Sequence, residues 1–195
     1  MNKALLFFWV TVLAGTVVAQ PPTTLNAVAA QLFKNVKTKL TVIEKNVIAT
    51  KIGFVLSSNK DEPFAQDKES KEFPFTASVF PTDLNKDGKE DVFIIFENTY
   101  TSGQAGSSVA LFIKNTAGVY TTNLGFPGMA PDVFVTLNKG YPDLLIGGPG
   151  FEYPVWRWNG KEYVYYKSVK DSAYGNLKKT GVEELSTIYQ QTIKQ

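Results

Sequence analysis

Between Asp83 and Asp91 the chain sets Asp83, Asn85 and Asp87 at alternate positions and follows them at once with Gly88. After Asp91 it runs straight into Val92-Phe93-Ile94-Ile95-Phe96. This segment fixes a local architecture. The apolar run reads as a buried strand, Ala77-Ser78-Val79-Phe80 as the strand before it, and the polar residues between as a tight connection. Oxygen side chains at the first, third and fifth positions converge on one point when the chain wraps closely. Glycine at the sixth permits the sharp turn, and the seventh residue, Lys89, offers its backbone carbonyl. Several hard oxygens of mixed charge suit calcium. The competing reading is a solvated turn, since Asp, Asn and Gly are the commonest turn residues.

The loop is not an EF-hand, because its twelfth position is Ile94 where a bidentate Glu is needed, and a β-type run stands where a helix should start. The spacing Asp-x-Asn-x-Asp-Gly-x-x-Asp, leaving directly into a hydrophobic strand, resembles the calcium loops of FG-GAP and VCBS repeats, the blades of integrin-α-type β-propellers. The resemblance implies a structural calcium ion held by the side chains of Asp83, Asn85, Asp87 and Asp91 and by the Lys89 carbonyl, with Glu90 turned to solvent. A weaker second copy follows. Leu84–Ile94 aligns with Leu137–Ile146 after one deletion, with matched residues 52 to 53 apart. Thr136 replaces Asp83 there and Asp87 has no counterpart, so the copy should keep the turn and lose the ion. Its continuation, Asp143 to Gly150, is similar to the Gly-Ala-Pro end of FG-GAP repeats. The resemblance covers about 75–166, too little for a propeller, which closes with at least about four blades. The expected fold is therefore α+β: an antiparallel, sheet-rich domain with two degenerate blade-like repeats, flanked by N-terminal and C-terminal helices.

The residues absent from the chain exclude much chemistry. With no cysteine and no histidine, there is no disulfide, thiolate zinc site, Ser-His-Asp or Cys-His catalysis, or His-ligated metal. Of 20 basic residues only Arg157 is an arginine, and the lysines are scattered among 18 acids, which argues against a nucleic-acid partner. A hydrolase working through two carboxylates remains open, with Glu97, Asp132, Asp143 and Glu152 as candidates. It requires two carboxyl groups roughly 5 to 9 Å apart in a cleft.

Met1-Asn2-Lys3, the apolar run from Ala4 to Ala14 and the small residues ending at Ala19 read as a signal peptide over 1–19, cleaved after Ala19. The run is short for spanning about 30 Å of hydrocarbon, leaving an uncleaved anchor as the alternative. The mature chain, 20–195, is then a single domain, secreted or periplasmic, with no membrane contact after cleavage.

Within it, 24–52 reads as helical, with Thr23 and Thr24 as capping residues. Leu25, Val28, Ala29, Leu32, Phe33 and Val36 make one apolar stripe. Thr41 and Glu44 have capping-box spacing before a second helix over 42–51, which Gly53 could end. A strand is the alternative there, given the β-branched residues. Residues 57–71 read as a surface loop, 73–167 as the β-rich repeat region and 180–193 as a C-terminal helix. Pro154–Trp158 and Lys161–Tyr166 should pair across a two-residue Asn159-Gly160 turn. Alternation puts Trp156 and Trp158 on one face, so Trp156, Trp158 and Tyr163 are the candidate platform for a carbohydrate or protein partner, beside the glycine loops 103–106 and 147–150. The alternative is that one aromatic row is core.

Overall fold

The computed structural model describes residues 22–148 and 152–194. The expected signal peptide and the far end of the second glycine loop lie outside them. The first helix, α1 (Ala27–Leu32), is capped by Asn26, whose side chain accepts a hydrogen bond from the Ala29 N–H at 2.8 Å. It is shorter than the apolar stripe suggests, and Asn26 takes the place expected of Thr23 and Thr24. Asn35 adopts φ 62°, a left-handed conformation that ends helical winding. The stripe still faces inward: Ala29, Leu32 and Phe33 are buried, and Leu25, Val28 and Val36 pack against them.

The second helix, α2 (Val42–Ile52), has both halves of the capping box. The Thr41 hydroxyl accepts from the Glu44 N–H at 3.3 Å, and the Glu44 carboxylate accepts from the Thr41 N–H at 2.9 Å. Gly53 closes the helix at φ 79°. The other Glu44 oxygen pairs with Lys114, tying the helix to the sheet beneath. Thr41→Ala should lower the unfolding free energy by about 1 kcal/mol, while Thr41→Ser retains it. Equal urea midpoints for wild type and Thr41→Ala would show the cap to be idle.

The segment 57–71 is more than a loop. Strand β2 (Phe64–Ala65) pairs with β1 (Val55–Leu56), and both β2 residues are buried. Phe64 joins Phe54, Phe75 and Phe96 in a cluster of tilted and edge-on rings, so two apolar residues in a charged stretch suffice to pin it.

Two antiparallel meanders follow. The first is β3 (Ala77–Thr82), β4 (Asp91–Phe96), β5 (Ser108–Lys114) and β6 (Tyr120–Pro127), paired in chain order. Between β4 and β5 the glycine loop is wound into α3 (Thr99–Ser102) and a 3-10 turn. The second meander is β7 (Asp132–Asn138), β8 (Tyr141–Leu145), β9 (Glu152–Trp158) and β10 (Tyr163–Lys170), also in chain order. After the short α4 (Asp171–Tyr174), strand β11 (Lys179–Gly181) returns to pair with β7, and α5 (Val182–Thr192) closes the described chain. The C-terminal helix thus falls within the range read from sequence. The α+β, sheet-rich class is as expected, with α1 and α2 before the meanders and α4 and α5 after them; the short α3 within the first meander is an addition. No described helix is long and apolar enough to cross a membrane.

The meanders stack in the same sense, as alternation along β4 and β8 shows. Val92 and Ile94 face the helices and the phenylalanine cluster, while Phe93 faces the second meander. Their counterparts in the 52-to-53-residue alignment follow suit one layer on. Leu144 and Ile146 face the first meander, and Leu145 lies on the outer side with Val155, Val169, Phe134 and Leu177. The aligned segments are the first hairpins of the two meanders. Helices α1 and α2 cover one end of the stack and the α4 segment covers the other, where an open repeat array would expose apolar surface.

One turn differs from its expected form. Trp158 pairs with Tyr163, so the β9–β10 connection has four residues. The Asn159 side chain accepts from the N–H groups of both Lys161 and Glu162, and this Asx geometry widens the loop. The two-residue turn is Lys139-Gly140 between Asn138 and Tyr141, with both φ values positive at 49° and 89°. That is where the second copy of the acidic loop has shrunk.

Candidate metal centre

Strand β3 delivers Thr82 opposite Asp91, and the Thr82 hydroxyl donates to the Asp91 carbonyl at 3.0 Å. Between them the chain wraps through left-handed Lys86 and Gly88, φ 59° and 83°. The loop side chains turn onto the loop's own backbone. Asp83 accepts from the N–H groups of Asp87 and Gly88, both at 3.0 Å, and Asn85 also accepts from Asp87 at 3.2 Å. Asp87 accepts from the Lys89 N–H at 2.8 Å, and Asp91 from the Leu84 N–H at 2.9 Å. The pattern Asp-x-Asn-x-Asp-Gly produces this wrap because each short acceptor reaches an N–H two to five residues ahead.

The carboxylates are unequal. Burial opposes ionisation of Asp87, but the Lys89 amide, Asn85 and the Lys89 ammonium outweigh it and hold its pKa low. Asp91 is 3% exposed. Burial pushes its pKa up to about 8, the negative charges of Asp83 and Asp87 add to the shift, and the Leu84 amide offsets only part of it. The second meander holds the matching acid. Asp143, also buried, receives a bidentate pair from the Arg157 guanidinium at 2.6 and 2.9 Å. The chain's one arginine therefore neutralises Asp143, whereas no described lysine or arginine forms an ion pair with Asp91.

Among the described residues, no three acidic side chains are placed so as to hold a metal ion together. The chemistry of the donors nevertheless fits one. Asp83, Asn85, Asp87 and Asp91 supply hard oxygens, and the most buried, Asp91, has no ion-pair partner among the described residues.

Glu90 corrects an expectation. It is buried, not solvent-facing, with its carboxylate accepting from the Thr38 hydroxyl and from the Lys39 N–H at 2.7 Å. Its carbonyl accepts from the Tyr120 hydroxyl at 2.8 Å. The segment joining α1 to α2 is thereby fastened to the root of the loop. No local signal in the sequence could reveal this, since the partners lie 51 and 52 residues away.

The aromatic platform is also corrected. Trp158 and Tyr163 are buried between the meanders, where Tyr141 packs on both with ring centroids 4.4 and 6.1 Å away. The Tyr163 hydroxyl donates to the Pro142 carbonyl at 2.8 Å. Trp156 is half-buried and stacked on Phe126 at 4.7 Å. Alternation does place the tryptophans on one face, but that face points at the first meander. Leu84 of the acidic loop belongs to the same apolar cluster as Tyr141, Trp158 and Tyr163, so the loop sits at the joint between the two sheets.

Of the candidate catalytic carboxylates, Asp143 is held by Arg157, and Asp132 accepts from Lys179 and the Tyr174 hydroxyl, both at 2.6 Å. Glu97 and Glu152 are exposed. Two of the four are thus committed to structural pairs. No protein-family model, curated protein or solved structure matches the chain.

Proposed function

We propose that this chain is an exported, non-enzymatic domain whose Asp83–Asp91 loop binds one calcium ion as a clamp between its two meanders. Export rests on the signal-like residues 1–19. The calcium reading rests foremost on Asp91, a buried carboxylate with no positive partner among the described residues, where the equivalent Asp143 has Arg157. The spacing of the other donors supports it, as does the place of Leu84 in the inter-sheet core. Asp83, Asn85, Asp87, Asp91 and the Lys89 carbonyl would supply the ligands. The ion would add a compact positive charge where the fold concentrates negative ones.

Calorimetric titration of metal-free protein with calcium tests the reading. One site is expected, and at a calcium concentration about a hundredfold above Kd the domain should gain about 2.7 kcal/mol. For a chain of this size that raises Tm by roughly 5 to 10 °C. Asp87→Ala should remove the response; its calcium-free Tm falls somewhat with the lost Lys89 N–H acceptor, so the calcium-induced shift is the readout. No binding heat and no shift in Tm at millimolar calcium would refute it.

A further inference from the structure

Beside the acidic loop, β7, β8, β11 and α5 enclose a cavity of about 550 Å³. Its size lies within the range of small-ligand pockets, roughly 300 to 1,000 Å³. The opening is apolar. Val135, Leu137 and Ile188 line it and are 64%, 58% and 52% exposed, so three of the most solvent-exposed large apolar residues gather at one mouth. Deeper in, Val133 and Leu84 are buried. Two cations, Lys39 and Lys86, stand in the wall, and neither forms an ion pair among the described residues. Asp83 also lines the cavity, its carboxylate accepting from the Asp87 and Gly88 N–H groups, so the wall carries two cations against one anion. The nearby Glu90 carboxylate is turned to Thr38 and the Lys39 backbone.

We infer that this cavity binds a small amphipathic anion, an apolar chain carrying one acidic head group, of which a fatty acid is the simplest example. The chain lies over Val135, Leu137 and Ile188, and the head group meets Lys39 and Lys86. Burying the exposed apolar side chains drives binding at about 25 cal/mol per Å² of surface removed from water. The two lysines, Lys39 standing 5.2 Å over the Tyr189 ring, select an anion over a neutral or cationic amphiphile of equal length. A concave site suits a small ligand better than a protein partner, which typically covers about 800 Å² on each side. The inference does not rest on the calcium reading.

Decanoate, decanol and decyltrimethylammonium, each below its micelle concentration, are titrated into the protein in EDTA-containing buffer. Calorimetry and two-dimensional amide spectra report binding. Decanoate should saturate one site and shift the amides of Val135, Leu137 and Ile188, while the other two bind at least about tenfold more weakly, the scale of one charged hydrogen bond. Lys39→Gln should lose about tenfold in decanoate affinity on the same ground, and Leu137→Asp should abolish binding. Both side chains are exposed, and far-UV circular dichroism checks that the fold is kept. No saturable decanoate binding, equal binding of all three amphiphiles, or wild-type affinity in both variants would overturn the proposal. So would a dimer that Leu137→Asp dissociates, since a second copy would then cover the opening.

Discussion

In the absence of calcium, the domain is expected to become less stable as pH rises from about 4 to about 8. The Asp91 carboxyl has an ordinary pKa of about 3.9 when unfolded, and burial together with Asp83 and Asp87 pushes it up to about 8 in the fold. Between those values the folded chain holds a proton that the unfolded chain has released. The unfolding free energy therefore falls with pH across that window and levels off above it. At about 1.4 kcal/mol per pH unit the upper bound is roughly 6 kcal/mol. The depressed pKa values of Glu44 and Asp87 give the opposite slope, but only at and below the usual carboxyl range. The chain has neither histidine nor cysteine, so no other side chain of ordinary pKa titrates between pH 5 and 8. Saturating calcium should abolish the slope by stabilising the ionised carboxylate. Asp91→Asn keeps an acceptor for the Leu84 N–H and removes the charge. In EDTA it should be flat between pH 5 and 8, more stable than wild type at pH 8, and indifferent to calcium. Urea unfolding at the two pH values measures all of this. A wild type whose midpoint in EDTA holds steady or rises toward pH 8 would remove Asp91 from the account.

The features legible in the sequence are those written in short-range chemistry. Thr41 and Glu44 stand three residues apart, and so do the groups that their capping box satisfies. The acidic loop is equally local, as its side-chain acceptors reach N–H groups at most seven residues away. What escaped was set by layers. The alternation that put Trp156 and Trp158 on one face was right, but alternation does not say whether water or a second sheet lies beyond that face. The same holds for Glu90, whose partners Thr38 and Lys39 come from a segment joining two helices. The Asn159-Gly160 turn failed for a different reason. The Asn159 side chain has its own use for the backbone N–H groups of Lys161 and Glu162, and a two-residue turn leaves no room for it. Meanwhile Lys139-Gly140, less conspicuous as a pair, had only to accept two positive φ angles.

Phe112→Ala is expected to cost about 3 to 5 kcal/mol, a large part of the roughly 5 to 15 kcal/mol by which domains are stable. Phe112 is fully buried on the central strand β5, facing the helices and the phenylalanine cluster. Phe93 is equally buried on the neighbouring strand β4, but faces the second meander. The two truncations therefore open cavities in different layers. If the layers were independent, Phe93→Ala would release the second meander and leave the first folded on its helices, giving two steps in a denaturant curve. A single step is expected instead, because strand β4 serves both layers at once. Val92 and Ile94 anchor one face and Phe93 the other, so the strand cannot keep one packing partner while losing the other without altering its own surroundings. Both variants should shift the urea midpoint by similar amounts at unchanged slope, with tryptophan fluorescence (Trp156 and Trp158, second meander) and far-UV circular dichroism coincident. A biphasic curve for Phe93→Ala, with tryptophan fluorescence changing first, would show that the second meander unfolds alone and that the joint beneath the acidic loop is the weak plane of the domain.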